Sequence, residues 1–154
     1  VFEKFYGDPA TLNHFRQINT YGGHPVATAV GLRNIEILEA EKLDENARKL
    51  GEYTLGQIRE ALGDHPWVGD IRGKGLLMGV ELVSDREDKT PLDNTKVGGI
   101  VLHCQQNGVL IGRNGNTIPG RCNVLIMAPP LVIQPTEADR MVDALRNALH
   151  QALN

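Results

Sequence analysis

The chain has 154 residues, 41% of them hydrophobic, a length at which one core is expected and about two-thirds of the unfolded surface can be buried. Sixteen Lys and Arg against 19 Asp and Glu leave a net charge of −3 with the basic residues dispersed, which excludes the electrostatic footprint of a nucleic-acid or anionic-membrane binder. No apolar run approaches the ~20 residues of a membrane span, and Val1-Phe2-Glu3-Lys4 lacks the pattern of a signal peptide. The expected setting is therefore cytoplasmic, with small molecules and other protein subunits as partners.

In chain order, the most informative stretch is Asn19-Thr20-Tyr21-Gly22-Gly23-His24-Pro25. Pro25 has no N–H to waste and a φ suited to a first helical turn, so a helix is predicted to begin there. Gly22 and Gly23 allow a tight turn before it, and the free N–H groups and positive dipole end of a helix start favour a phosphate or carboxylate. The same spacing also describes an ordinary helix start with Thr20 or Gly23 near the N-cap. From Pro25 to about Ala40, Val26, Val30, Ile37, Ala27 and Leu38 fall on neighbouring helical faces and form an apolar stripe.

Asp44 is placed to cap a second helix through Leu62, ended by Gly63, with Leu50, Leu55, Ile58 and Leu62 inward. Strands are predicted near Val68–Arg72 and Leu76–Leu82, joined by Gly73-Lys74-Gly75. Arg72 and Lys74 then belong to a hairpin rather than a phosphate site, and Trp67, after Pro66, belongs to the core. Asp93 can cap a third helix to Gln106, with Gly108 as its stop before a strand at Val109–Ile111. Asn123–Met127 reads as a further strand broken by Pro129-Pro130, and Thr136 with Asp139 resembles a capping pair for a last helix to about Ala152. Strands flanked by helices on one face make an α+β layer.

Bare residue chemistry gives little more. Cys104 and Cys122 have no cysteine or histidine at metal-ligand spacing, and the histidines are scattered, so no metal is expected. Ser84, the one serine, lies in the polar loop Ser84–Lys89 and not at a strand-to-helix elbow, which sets serine hydrolysis aside.

Four ordered blocks carry a resemblance. Asn19-Thr20-Tyr21-Gly22-Gly23-His24-Pro25-Val26-Ala27 resembles the threonine motif of class III aminotransferases, the ω-transaminase group of fold type I pyridoxal-phosphate enzymes. Asp70–Leu82 resembles the family's Arg-Gly-x-Gly-Leu hairpin, Asn107–Ile111 the strand after its next helix, and Ala128-Pro129-Pro130-Leu131-Val132-Ile133 its Pro-Pro-Leu block. The resemblance implies the small C-terminal domain of such an enzyme: α+β, a short, mostly antiparallel sheet with helices on one face. Residues 1–18 would be the end of the large domain and the crossover, with Phe2, Phe5, Tyr6 and Phe15 packing on large-domain elements; residues 19–154 would be the small domain with the interdomain helix.

The cofactor implied is pyridoxal 5'-phosphate, its phosphate held by Thr20 with Asn19 across the interface of a homodimer. The Schiff-base lysine and the aspartate that pairs with the pyridine nitrogen lie upstream of the threonine motif in the family, so no catalytic residue is expected in this chain, which alone would be inactive. The implied reaction transfers an amino group from an ω-amine or amino acid to a keto acid such as pyruvate. Members acting on ornithine-like substrates carry a carboxylate-binding arginine where this chain has Ile126, which argues against that subgroup. The loop Gly112–Gly120 resembles one found in taurine–pyruvate type members and offers Arg113 for the keto-acid carboxylate, with Arg121 as competitor and a solvated loop as the plain alternative. A mutase, racemase or decarboxylase of the same fold, or a non-catalytic subunit-association module, would share most of these features.

Overall fold

A computed structural model describes residue 10 and residues 19–115 and 118–153. The expectations for Phe2, Phe5, Tyr6 and Phe15, and the Asn116-Thr117 part of the arginine loop, lie outside those residues. Internal contacts divide the chain into two units, Val1–Ala40 and Glu41–Asn154, and each is taken by itself.

The first unit carries helix α1, Pro25–Ala40, which begins at the predicted proline. None of its residues is buried, and Val26, Val30, Leu32 and Ile35 each expose more than half of their surface. Of the apolar stripe read from the sequence, Val26 and Val30 are exposed while Ala27, Ile37 and Leu38 are half-buried.

The second unit contains α2 (Leu43–Leu62), β1 (Val68–Lys74), β2 (Leu77–Leu82), α3 (Asn94–Gln106), β3 (Gly112–Arg113), β4 (Val124–Met127) and α4 (Pro135–Leu153). The strands form one sheet in the order β1-β2-β4-β3 with every neighbouring pair antiparallel. Strand side chains alternate between faces. Met78, Val80, Leu82, Leu125 and Met127 are buried, while Gly79, Glu81, Val124 and Ile126 between them are only partly so. The buried row meets Leu55, Ile58 and Leu62 of α2, Val97 and Ile100 of α3, and Leu145 and Leu149 of α4 in one core. Each such side chain contributes about 1.5–3 kcal/mol by leaving water. The expected α+β layer with helices on one face is thus what forms.

Several local expectations are corrected. Asp44 does not cap α2. It lies in the first turn beside Glu45, where both carboxylates suit the dipole, and the cap position is Lys42 in a left-handed conformation with no side-chain cap. The hairpin turn is shorter than predicted: Gly73 and Lys74 still pair, with Met78 and Leu77, leaving only Gly75 and Leu76 to turn, and Gly75 supplies the positive φ of 56°. Val109–Ile111 forms no ladder. The N–H groups of Gly108 and Val109 bond back to the Gln105 and Cys104 carbonyls of α3, so the chain is still closing the helix there and the edge strand begins only at Gly112. Thr136 and Asp139 do not cap α4 either. The Glu137 carboxylate accepts the Gln134 N–H at 2.9 Å, and Asp139 instead accepts the Tyr53 hydroxyl at 2.7 Å, joining α4 to α2. Asp93 does cap α3, accepting the Thr95 N–H at 2.8 Å.

Candidate functional site

Two groups of residues carry the predicted chemistry, one in each unit. In the first, Asn19–His24 folds into a tight turn: the Gly22 N–H donates to the Asn19 carbonyl at 3.1 Å and the His24 N–H to the Tyr21 carbonyl at 3.2 Å. Gly23 has a φ of 74°, which only glycine adopts freely. A Cβ on Gly22 would stand 3.1 Å from the Asn19 carboxamide, so the second glycine lets that side chain fold back over the turn. Asn19 and Thr20 are both exposed.

The N-cap belongs to His24 rather than to Thr20 or Gly23. Its carbonyl accepts the Thr28 N–H at 2.9 Å, and its Nδ1 faces the Ala27 N–H at 3.5 Å. Capping therefore makes no demand on the Thr20 hydroxyl.

In the second unit, antiparallel pairing sets which face each arginine occupies. Arg113 pairs with Leu125, whose side chain enters the core, so Arg113 projects on the helix side of the edge strand. Its Nη1 lies 3.5 Å from the Asn94 carbonyl at the head of α3. Arg121 lies on the open face, where it lines a hollow of about 270 Å³ with Arg72, Glu81 and Asn114. Arg72 in that hollow bonds to Asp70 at 2.6 Å and Glu81 at 2.7 Å, and these two carboxylates raise its pKa. Its charge is taken up within the hairpin, by one carboxylate on its own strand and one across on β2, in keeping with the hairpin reading.

Ile126 sits on the same open face, in register between Gly79 of β2 and Gly112 of β3. The two predicted arginines are thus separated by the sheet. Thr20 and Asn19 belong to the first unit and Arg113 and Arg121 to the second.

Sequence reasoning missed the residues that hold the arginine loop. Asn114 donates its Nδ2 to the Arg121 carbonyl at 2.6 Å and accepts the Val124 N–H at 2.9 Å, closing the loop like a clasp. The buried Asn123 donates to the Leu82 carbonyl at 2.7 Å and ties the loop's end to β2. Asparagines at both ends of a glycine-rich segment were the available signal. Also unforeseen is a cavity of about 500 Å³ between the β3–β4 edge and α4, lined by Leu110, Ile126, Pro129, Pro130, Glu137 and Arg140.

The remaining candidates are structural. Cys104 and Cys122 are buried thiols, and burial pushes Cys104 up to about 11, far from a thiolate at neutral pH. Trp67 packs partly buried against the core, with Lys96 Nζ 4.5 Å above its ring. Among the described residues, no group of three His, Cys, Asp or Glu could hold a metal, and no helix is long and apolar enough to cross a membrane.

Known proteins share this fold and much of this sequence. The chain matches the family described as aminotransferase class-III over residues 4–149 and belongs to it. It is 42% identical over 148 residues to the uncharacterized aminotransferase YhxA of Bacillus subtilis, covering 96% of this chain and 32% of that protein. It is 41% identical over 152 residues to the taurine–pyruvate aminotransferase of Rhodobacter capsulatus, covering 98% of this chain and 33% of the relative. A solved Bacillus anthracis aminotransferase superposes with a TM-score of 0.83 at 47% identity, over 97% of this chain and 33% of that one. The chain spans about a third of the length of the curated relatives it matches.

Proposed function

We propose that this chain is the C-terminal portion of a pyridoxal-5'-phosphate-dependent aminotransferase that moves an amino group from an ω-amine or amino acid to a keto acid such as pyruvate. The observation that carries this reading is the 41% identity to a taurine–pyruvate aminotransferase along 98% of the chain. An apolar Ile126 at the ornithine-type arginine position supports the same choice. In this reading residues 1–18 are the end of the large domain and the crossover, and residues 19–154 are the small domain with its interdomain helix α1. The parent is a cytoplasmic homodimer whose cofactor-bearing lysine lies in the part outside this chain.

The glycine turn suits the cofactor's phosphate in its donor set. Thr20 offers an exposed hydroxyl that no cap occupies, and Asn19 an exposed carboxamide folded over the turn that precedes the positive end of α1. Pyridoxal phosphate, when bound, supplies the electron sink for removing a proton next to the amine nitrogen. Thr20 and Asn19 hold its phosphate as a fixed handle contributed across the dimer interface. Arg113 binds the keto-acid carboxylate. Its bond to Asn94 is long and exposed, so leaving it for a substrate costs little.

A coupled assay of the full-length protein with several amine donors and either pyruvate or 2-oxoglutarate tests the proposal. Amino transfer to pyruvate is expected; no pyridoxal absorbance and no transfer would overturn it.

A further inference from the structure

His65 lies far from both candidate groups in sequence and takes no part in the proposed chemistry. It sits in the connection from α2 to β1 and is only 6% exposed. Its backbone N–H donates to the Leu62 carbonyl at 3.0 Å and its carbonyl accepts the Val68 N–H at 2.9 Å. Its side chain adds a third fastening, Nδ1 accepting the Trp67 N–H at 3.2 Å. An imidazole nitrogen that accepts carries no proton, so this hydrogen-bond pattern assigns the ring proton to Nε2. Nε2 is buried and meets full hydrogen-bond geometry with no atom among the described residues, although the Leu149 backbone on α4 lies close enough to the ring to favour its charged form.

The ring is pressed between two neighbours. It meets the Trp67 ring edge-on at 6.1 Å and the His150 ring of α4 edge-on at 5.7 Å. The charged and titratable groups around it are His150 on α4, Lys96 of α3 with its Nζ 4.5 Å from the centre of the Trp67 ring, and the exposed Asp64 preceding it in the chain.

We propose that His65 and His150 form an acid-sensitive latch that fastens the α2–β1 connection to the last turn of α4 at neutral pH and releases both on protonation. Adding a proton at Nδ1 converts an acceptor into a donor that faces another donor, the Trp67 N–H, and breaks that bond. It also places a positive charge in a buried pocket against the His150 ring. His150, in the last turn of α4, moves away by unwinding the helix end.

The direction of the pH effect is fixed by environment. Burial pushes the His65 imidazole below its ordinary 6.5, the Leu149 backbone partly opposes this, and His150 adds to it. The unfolded chain then binds the proton first. The latch's contribution is full above the unfolded value near 6.5 and is lost progressively as the pH falls below it.

The test is amide hydrogen exchange of the full-length protein at about pH 7.5 and about pH 5, corrected for intrinsic rates. Protection at Trp67 and in Leu149–Ala152 is expected to fall about tenfold or more relative to Val80 in β2 at the lower pH. In His65→Asn the carboxamide oxygen accepts the same N–H two residues on and cannot titrate, so the differential loss should disappear. Equal loss in His65→Asn, or none in the natural protein, would overturn the latch. If the variant does not fold, imidazole ¹⁵N shifts of the natural protein decide. A neutral Nε2–H tautomer that charges only below 6.5 supports the latch, and an Nδ1–H tautomer or titration at or above 6.5 overturns it.

Discussion

Gly51 of α2 and Gly75 of the hairpin turn meet backbone to backbone: a Cβ placed on Gly51 would lie inside the contact distance of the Gly75 carbonyl oxygen. The helix can seat against the hairpin tip only because Gly51 has no side chain there, and this contact helps set the height of β1 and β2 against the helical layer.

Gly51→Ala is therefore expected to destabilise the protein by about 1–3 kcal/mol, because overpacking outweighs the ~1 kcal/mol that alanine gains in a helix interior. Gly56, in the same helix, has open space where its Cβ would be, so Gly56→Ala should stabilise by about 0.4–1 kcal/mol. Urea unfolding of both variants checks the pair. A Gly51→Ala midpoint at or above that of the natural protein would remove the contact from the account.

How far the sequence foretold this architecture depends on where the deciding interaction lies. α1 and α3 were legible because Pro25 and Asp93 act on their own first turns. β3 was not, since Val109–Ile111 has a strand's composition and only the return of the Val109 N–H to Cys104 keeps it off the sheet. The face on which each arginine lies was equally hidden. It follows from the pairing of Arg113 with Leu125 across a loop whose closure depends on Asn114 and Asn123. The glycine turn was legible as a motif, but the transfer of its cap to His24 needed the folded geometry.

That transfer sharpens the expectation for Thr20. With His24 at the cap position, Thr20→Ala should leave the melting temperature of the cofactor-free protein unchanged within the ~1 kcal/mol worth of a cap. In the full-length protein it should weaken cofactor retention by about 1.5–3 kcal/mol, the strength of a hydrogen bond to a charged group. Cofactor dissociation followed by absorbance, beside a thermal melt, reads both. Unchanged dissociation would strike Thr20 from the site.

The chain in isolation should bind pyridoxal phosphate weakly and catalyse no transfer. One hydroxyl and a helix start offer roughly 1 kcal/mol of dipolar attraction, against the ~8 kcal/mol that micromolar binding requires. A saturable micromolar complex on titration, persisting when surface lysines are methylated, would contradict this.

Arg113 and Arg121 can be told apart by kinetics. Arg113 stands exposed at the edge strand with only a 3.5 Å bond to Asn94, whereas Arg121 borders a hollow where Arg72 with its two carboxylate partners Asp70 and Glu81 leaves an excess of negative charge that disfavours a carboxylate substrate. At Arg113 a substrate carboxylate would exchange a long neutral bond for a charge-assisted one. Arg113→Ala in the full-length protein should raise KM for pyruvate and lower kcat/KM by about tenfold to a hundredfold, the 1.5–3 kcal/mol of a charge-assisted bond, while leaving KM for an amine donor without a carboxylate nearly unchanged. Arg121→Ala should alter neither constant by more than about twofold, as expected of an exposed charge. The reverse pattern would transfer the carboxylate contact to Arg121 and the open face of the sheet. Parallel losses with both donors in Arg113→Ala would mean that the residue supports the fold of the loop and does not read the substrate.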